Sequence, residues 1–277
     1  MSSASTEATA THGTAQPMPS RRERARAATI AEIKETALRL MHEHGTTDLR
    51  FSDIAREMGM TAPALYRYFA DGDDLLTALI VDAYDDLADA VREARDRVPE
   101  GDPSGRLLAV SQAYRTWARR EPQRFALILG TPVPGYAAPE EGPTTEAARR
   151  AMTQLKSLFF DALDRGLLGE PLIRHVDESV RQHAENPQYS GRADERTLPP
   201  ETFQAMLNCW VSLHGFTSLE AYGHLEFLSP EARDALFEAG VRLVAMAAGL
   251  PPPRARSESA PAGRTDTGTS GADQVGP

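Results

Sequence analysis

Twenty residues, Arg50 to Phe69 (RFSDIAREMGMTAPALYRYF), constrain the fold of this chain more than any other stretch. Two apolar-striped segments, each too short to be a stable helix alone, flank a glycine, so each must bury its stripe against the other and against a third element. Ser52 or Arg50 opens the first segment; Ile54, Ala55 and Met58 form its inward stripe, and Gly59 supplies the left-handed residue that ends it. Thr61 stands at the cap of the second, its hydroxyl placed to accept a backbone N–H, and Pro63 occupies the first turn, where its missing donor costs nothing. With Ala64 and Leu65 packed inward, Thr61, Ala62, Pro63, Tyr66, Arg67 and Tyr68 face outward. Small residues at a helix start let it approach a major groove closely, and phenols and guanidinium groups beyond them suit phosphate oxygens. The pattern is that of a helix-turn-helix, which also arises in all-α proteins from packing alone.

The flanking segments favour the DNA-binding reading. Ile30, Ile33, Ala37, Leu40 and Met41 recur at helical spacing within Arg21 to Gly45, and Gly45 terminates that helix. Asp71 to Val91 forms another helix, with Leu75, Leu76, Leu79, Ile80, Ala83, Leu87 and Val91 along one side. Together with Thr46, the Asp53-Ile54-Ala55 triplet, Gly59, Leu65-Tyr66 and Tyr68-Phe69, this pattern resembles the TetR/AcrR family of transcriptional regulators over residues 27–87. The resemblance implies that residues 27–87 are a three-helix DNA-binding domain carrying the motif 50–69. It also implies that Thr61, Ala62 and Pro63 approach bases, that Arg67 reaches base or phosphate, and that Arg50, Tyr66 and Tyr68 hold phosphates. The chain departs from the family at two places: Arg50 replaces the usual threonine opening the second helix, and Gly72 replaces the usual phosphate-binding lysine. Asp71, Asp73 and Asp74 surround Gly72, so the fourth helix is expected to offer backbone N–H groups and little cationic help. Arg21, Arg22, Arg24 and Arg26 make residues 20–26 a basic lead-in, read either as an arm for a neighbouring minor groove or as a solvated segment.

A net charge of −10 argues against a polyanionic partner until its distribution is considered. Residues 20–70 carry +2, residues 1–19 carry −1 and residues 71–277 carry −11, so the acidity lies outside the reading head. Such a chain meets DNA through one end. The longest apolar stretch, Leu243 to Leu250, is far below the ~18 residues of a spanning helix. No hydrophobic signal core opens the chain, and the expected location is the cytoplasm. Cys209 is the only cysteine, which excludes an intrachain disulfide and a cysteine-based zinc site.

The rest of the chain reads as all-α. Residues 1–19 and 251–277 are expected to be disordered tails, and residues 88–250 a helical ligand-binding and dimerisation domain. Helices are expected over Pro103 to Arg120, Pro122 to Leu129, Thr144 to Leu167 and, with polar character, Pro171 to Ala184. Gly130 to Pro143 and Asn186 to Pro200 read as connectors. Phe203, Met206, Leu207, Trp210, Leu213, His214 and Thr217 stripe one late helix, while Ala232, Leu236, Gly240, Leu243 and Ala247 stripe another. This pair resembles the family's dimerisation helices, which implies a homodimer through residues 200–225 and 229–249. Trp210, His214 and Gly215 also resemble the signature of the regulatory domain type named for Trp-His-Gly, over residues 104–225. Tyr114, Trp117, Phe125, Phe159, Trp210 and His214 are suited to line a small-molecule cavity, with Trp117, Phe125, Trp210 and His214 the candidate ligand contacts; core packing accounts for them equally.

No catalytic constellation is present: there is no nucleophile elbow, no phosphate-cradling glycine loop and no HExxH, and His42-Glu43-His44 cannot put two ligands on one helical face. The expectation is a DNA-binding regulator without cofactor or metal, a homodimeric repressor released from a palindromic operator by a small hydrophobic effector. Two alternatives stand beside it: a regulator with no small effector, and a helical enzyme or scaffold whose motif is only structural.

Overall fold

The computed structural model of the chain describes residues 20–45, 50–130, 141–191 and 196–252. Among these residues there are eleven helices and no strand; one isolated antiparallel bridge joins Gly191 to Thr197. Residues 1–19 and 253–277 of the expected tails, Thr46 and most of the proline-rich connector lie outside the described residues.

The head is α1 (Arg21–His44), α2 (Phe51–Glu57) and α3 (Ala62–Leu65), closed by the first half of α4 (Gly72–Asp96). Ser20 starts α1 with a capping box: its Oγ accepts the Glu23 N–H, and Glu23 accepts the Ser20 N–H. Gly45, at φ 62°, ends it. Ile33, Ala37 and Leu40 from α1, Ile54 and Ala55 from α2, Leu65, and Leu75 to Ile80 from α4 form one buried cluster. The basic lead-in of residues 20–26 is therefore no extended arm: Arg21, Arg22, Arg24 and Arg26 lie in the first turns of α1.

The body is built from α5 (Pro103–Arg120), α6 (Pro122–Leu129), α7 (Pro143–Asp164), α8 (Glu178–Glu185), α9 (Pro187–Ser190), α10 (Pro200–Ala221) and α11 (Pro230–Ala247). Prolines in the first turns fix most of these starts, which is why α5 and α6 begin where the sequence places them. The second half of α4 packs between α5 and α7. Phe159, Phe160, Met206 and Cys209 centre the main core beneath α10 and α11.

The segment from Pro171 to Ala184 corrects the expected long polar helix. Only α8 is helical there, because upstream N–H groups are spent on another element: Gly169 donates to the Gly249 carbonyl and Leu172 to the Ala247 carbonyl, both at 2.8 Å. Gly249, at φ 80°, tolerates this approach, since a Cβ would meet the Gly169 carbonyl oxygen at 2.4 Å. Asp177 then starts α8 by accepting the Ser179 N–H. Within Asn186 to Pro200, the expected connector, α9 makes one further turn.

Candidate nucleic-acid interface and regulatory cavity

Gly59, at φ 64°, turns the chain between α2 and α3, and the Met60 N–H returns to the Ala55 carbonyl at 2.8 Å. A side chain in this left-handed conformation costs roughly 1–2 kcal/mol, which glycine avoids. Arg50 stands at the N-cap of α2 in extended backbone without a side-chain capping bond. Thr61 likewise occupies the α3 cap, but its hydroxyl makes no capping bond, contrary to expectation, and stays exposed. The second helix is also shorter than its pattern: after Leu65 a tight turn follows, in which Tyr68 and Phe69 donate to the Leu65 carbonyl at 2.8 and 3.1 Å and Phe69 enters the core.

Two residues not assigned to the reading surface from sequence hold it from behind. The Phe51 ring lies 5.0 Å from the ring of Tyr66, whose side is otherwise open to solvent, and Arg26 donates to the Arg67 carbonyl at 3.1 Å while lying over the half-buried Tyr68 ring. An aromatic directly following Arg50, and an arginine on the face of α1, were the signals available. Thr61, Pro63 and Arg67 are exposed, whereas Ala62, expected to face outward, is half-buried and packs against the head cluster.

The electrostatics separate two sets of cations. Lys34 pairs with Asp82, Arg39 with Glu43 and Glu57, and Arg56 with Asp53. Arg50 and Arg67 pair with no carboxylate among the described residues and remain available to an anion. At the start of α4, Asp71 accepts the Asp74 N–H at 2.8 Å and Asp74 accepts the Ala70 N–H at 2.9 Å. The acids around Gly72 thus use the helix cap themselves.

In the body, a cavity of about 260 Å³ opens between α4, α5, α7 and α10. Leu87 and Val91 of α4, Val110 of α5, Met152 and Leu155 of α7, and Leu213 of α10 supply apolar wall. Leu129, at the end of α6, closes one side. Of the four candidate ligand residues only Trp210 lines this space. His214 sits behind it, stacked on Trp210 at 5.7 Å and bonded through Nδ1 to the Tyr114 hydroxyl at 2.9 Å. Trp117 and Phe125 are core residues, each 1% exposed; the Trp117 indole N–H donates to Asp86 at 2.8 Å, and Phe125 packs edge-on against Tyr114. Phe159 is likewise fully buried in the main core. Tyr84, Gln154 and Leu129 line the cavity without having been singled out, since nothing local distinguishes them from ordinary helix-face residues.

Burial pushes the Tyr84 and Tyr114 phenols up and holds His214 below the ordinary imidazole value, so all three are neutral near pH 7. Cys209 is a buried hydrophobe: its thiol is pushed up to about 12 by burial, and its Sγ lies 3.7 Å from the Val244 carbonyl oxygen.

Two family models match this architecture: that for bacterial regulatory proteins of the tetR family over residues 33–79, and that for the tetracyclin repressor-like C-terminal domain over residues 107–244. The HTH-type transcriptional regulator Rv1816 of Mycobacterium tuberculosis is 36% identical over 196 residues, covering 70% of this chain and 80% of that one. The chain belongs to the TetR family of transcriptional regulators.

Further relatives of this TetR-family chain include the HTH-type transcriptional regulator BetI of Klebsiella pneumoniae, 28% identical over 56% of this chain and 94% of its own. Among solved structures, the regulatory protein SCO4313 superposes with a TM-score of 0.64 at 33% identity, covering 81% of this chain and 98% of that one. The chain is accordingly a DNA-binding transcriptional regulator, and the enzymatic alternative falls. No helix among the described residues is long and apolar enough to cross a membrane.

Proposed function

We propose that this regulator is a homodimeric repressor that binds a palindromic operator in the cytoplasm and is released by a small hydrophobic effector. The observation that carries this reading is the division of labour along α4. Its first half gives Leu75, Leu76, Leu79 and Ile80 to the core of the head, and its second half gives Tyr84, Leu87 and Val91 to the cavity wall. Helix α6 runs parallel to this logic: Leu127 is buried in the head cluster, while Leu129 lines the cavity. An occupant that displaces either wall moves the head. On this reading residues 27–87 are the DNA-binding domain and residues 88–250 the regulatory one.

Pairing through residues 200–225 and 229–249 is supported by the face that α10 and α11 leave open. On α11 it is the expected stripe, with Leu236 and Leu243 exposed; on α10 it is Val211 and Leu219, because Phe203, Met206 and Leu213 are spent on the chain's own core. Two copies joined there place two α3 turns to read major grooves about 34 Å apart. Thr61, Ala62 and Pro63 approach bases, Arg67 reaches base or phosphate, and Arg50, Tyr66 and Tyr68 hold phosphates. Effector coupling of order 1–3 kcal/mol suffices for modulation.

Fluorescence anisotropy of the full chain on DNA from upstream of its own gene, against a scrambled duplex, tests the reading. Sequence preference that survives rising salt, with a binding stoichiometry of two chains per site, is the expected result. Preference with one chain per site would sink the dimer. Release by no hydrophobic compound would sink the effector switch.

A further inference from the structure

We propose that the cavity takes an uncharged lipophile carrying a single hydroxyl or N–H group, and that it excludes carboxylates and ammonium ions. This deepens the reading of the cavity as the effector site and rests on it. Among the described residues no Asp, Glu, Lys or Arg lines the space, so a charged ligand there would lose its hydration and gain no counter-ion. The polar groups that do line it are Tyr84, Tyr114 and Gln154, in a wall otherwise aliphatic apart from the Trp210 indole and the Met152 thioether.

Their hydrogen bonds decide what kind of polar group is welcome. The Tyr84 hydroxyl donates its only proton to the Ile128 carbonyl at 3.2 Å, so toward a ligand its oxygen can only accept. Gln154 Nε2 donates one proton to the Arg150 carbonyl at 3.4 Å, so its second N–H and its amide oxygen can serve a ligand in either sense. Tyr114 and neutral His214 share one bond of 2.9 Å, whose proton sits on either partner and adapts to what it meets. One fixed acceptor, beside Gln154 and a Tyr114–His214 pair that adapt in either sense, favours a ligand that brings a donor. An alcohol or an amide N–H satisfies them; an ether or ester leaves the Tyr84 oxygen facing another oxygen.

Four probes with one chain length separate these demands: octan-1-ol, methyl octyl ether, octanoate and octylammonium, each titrated calorimetrically into the full chain at neutral pH. Octan-1-ol is expected to bind roughly ten-fold tighter than either ion and at least about three-fold tighter than the ether. Tyr84→Phe, still folded by its thermal transition, should close the gap between alcohol and ether by weakening the alcohol and relieving the oxygen–oxygen contact of the ether; an unchanged gap overturns the role given to Tyr84. Ala151→Trp, which fills the void, should remove binding of all four. Octanoate or octylammonium binding as tightly as the alcohol overturns the exclusion of charge, and an ether equal to the alcohol overturns the donor requirement. Binding of none of the four overturns the proposal outright. The underlying effector reading fails separately, if octan-1-ol binds but leaves operator affinity unchanged.

Discussion

The head and the body share α4 yet face opposite solvents. Among the described residues, Arg50 and Arg67 on the outward surface of the head pair with no carboxylate beside exposed Tyr66, whereas the cavity in the body is lined by neutral groups. A signal from an uncharged site to a cationic one has no electrostatic route worth the name, since exposed charges are screened over ~10 Å. On the proposed reading the signal travels by displacement. The interior between the two is close-packed and resists compression, so a wall moved at Tyr84 or Leu87 is felt one or two turns away at Leu79 and Ile80. On that reading, operator affinity and effector affinity answer to different physical variables and can be disturbed one at a time.

The largest disturbance confined to the body is the loss of a core ring. Phe159 is fully buried beneath α10, and Phe159→Ala should cost about 3–5 kcal/mol, read as a lowered urea midpoint. Below its unfolding transition the variant should still bind operator within about two-fold, because the head cluster does not include it. Next comes salt. If Arg50 and Arg67 from two copies each meet a phosphate, as proposed, the four cationic contacts predict a roughly 100-fold loss of operator affinity between about 50 and 200 mM salt. Calorimetric binding of a neutral lipophile over the same range should stay flat or tighten slightly. A flat response of operator affinity would show that the head reads DNA through neutral contacts alone.

The same contrast explains what could be read from sequence. Head boundaries rest on local chemistry: Gly45 and Gly59 carry positive φ, and the Ser20–Glu23 box and Pro63 act within one turn. The prolines that open α5 and α6 made those helices legible to the residue. The cavity was not legible, because its wall is assembled from five helices far apart in sequence and only their packing selects which residues face the void. Trp117 looked like a ligand contact until its indole found Asp86, thirty-one positions away. The stripe on α10 was real but belonged to the intrachain core, with Val211 and Leu219 left for the outer face. Arg26 was read as solvated or groove-bound because its bond to the Arg67 carbonyl spans the head.

A smaller effect sharpens the account of the reading surface. Tyr66→Phe with Tyr68→Phe removes two hydroxyls per copy while keeping both rings against Phe51 and Arg26. Operator affinity should fall about ten-fold, near 1–2 kcal/mol, with an unchanged thermal midpoint. If affinity holds, the phenol oxygens do not meet phosphate and the rings are there for packing only.

The smallest effect appears only in acid and belongs to the body. Glu220 receives two bonds of 2.6 Å from Arg115 and one of 2.9 Å from Arg119, tying α5 to α10, while Asp234 of α11 meets Arg115 at 2.8 Å. Burial pushes the Glu220 carboxyl up, but the Arg115 hydrogen bonds and the charges of Arg115 and Arg119 outweigh it and hold the group below the ordinary carboxylate value. A carboxylate with a lowered folded-state value binds fewer protons folded than unfolded, so its stabilisation is complete above about pH 4.3 and is lost as pH falls through the lowered value. Urea midpoints followed from neutrality into acid should therefore decline more steeply below about pH 4.3 in the wild type than in Glu220→Gln. Parallel declines would mean that Arg115 takes its compensation from Asp234 and from the Phe216 and Phe237 rings at 5.4 and 4.8 Å, leaving Glu220 a spectator of the joint between α5 and α10.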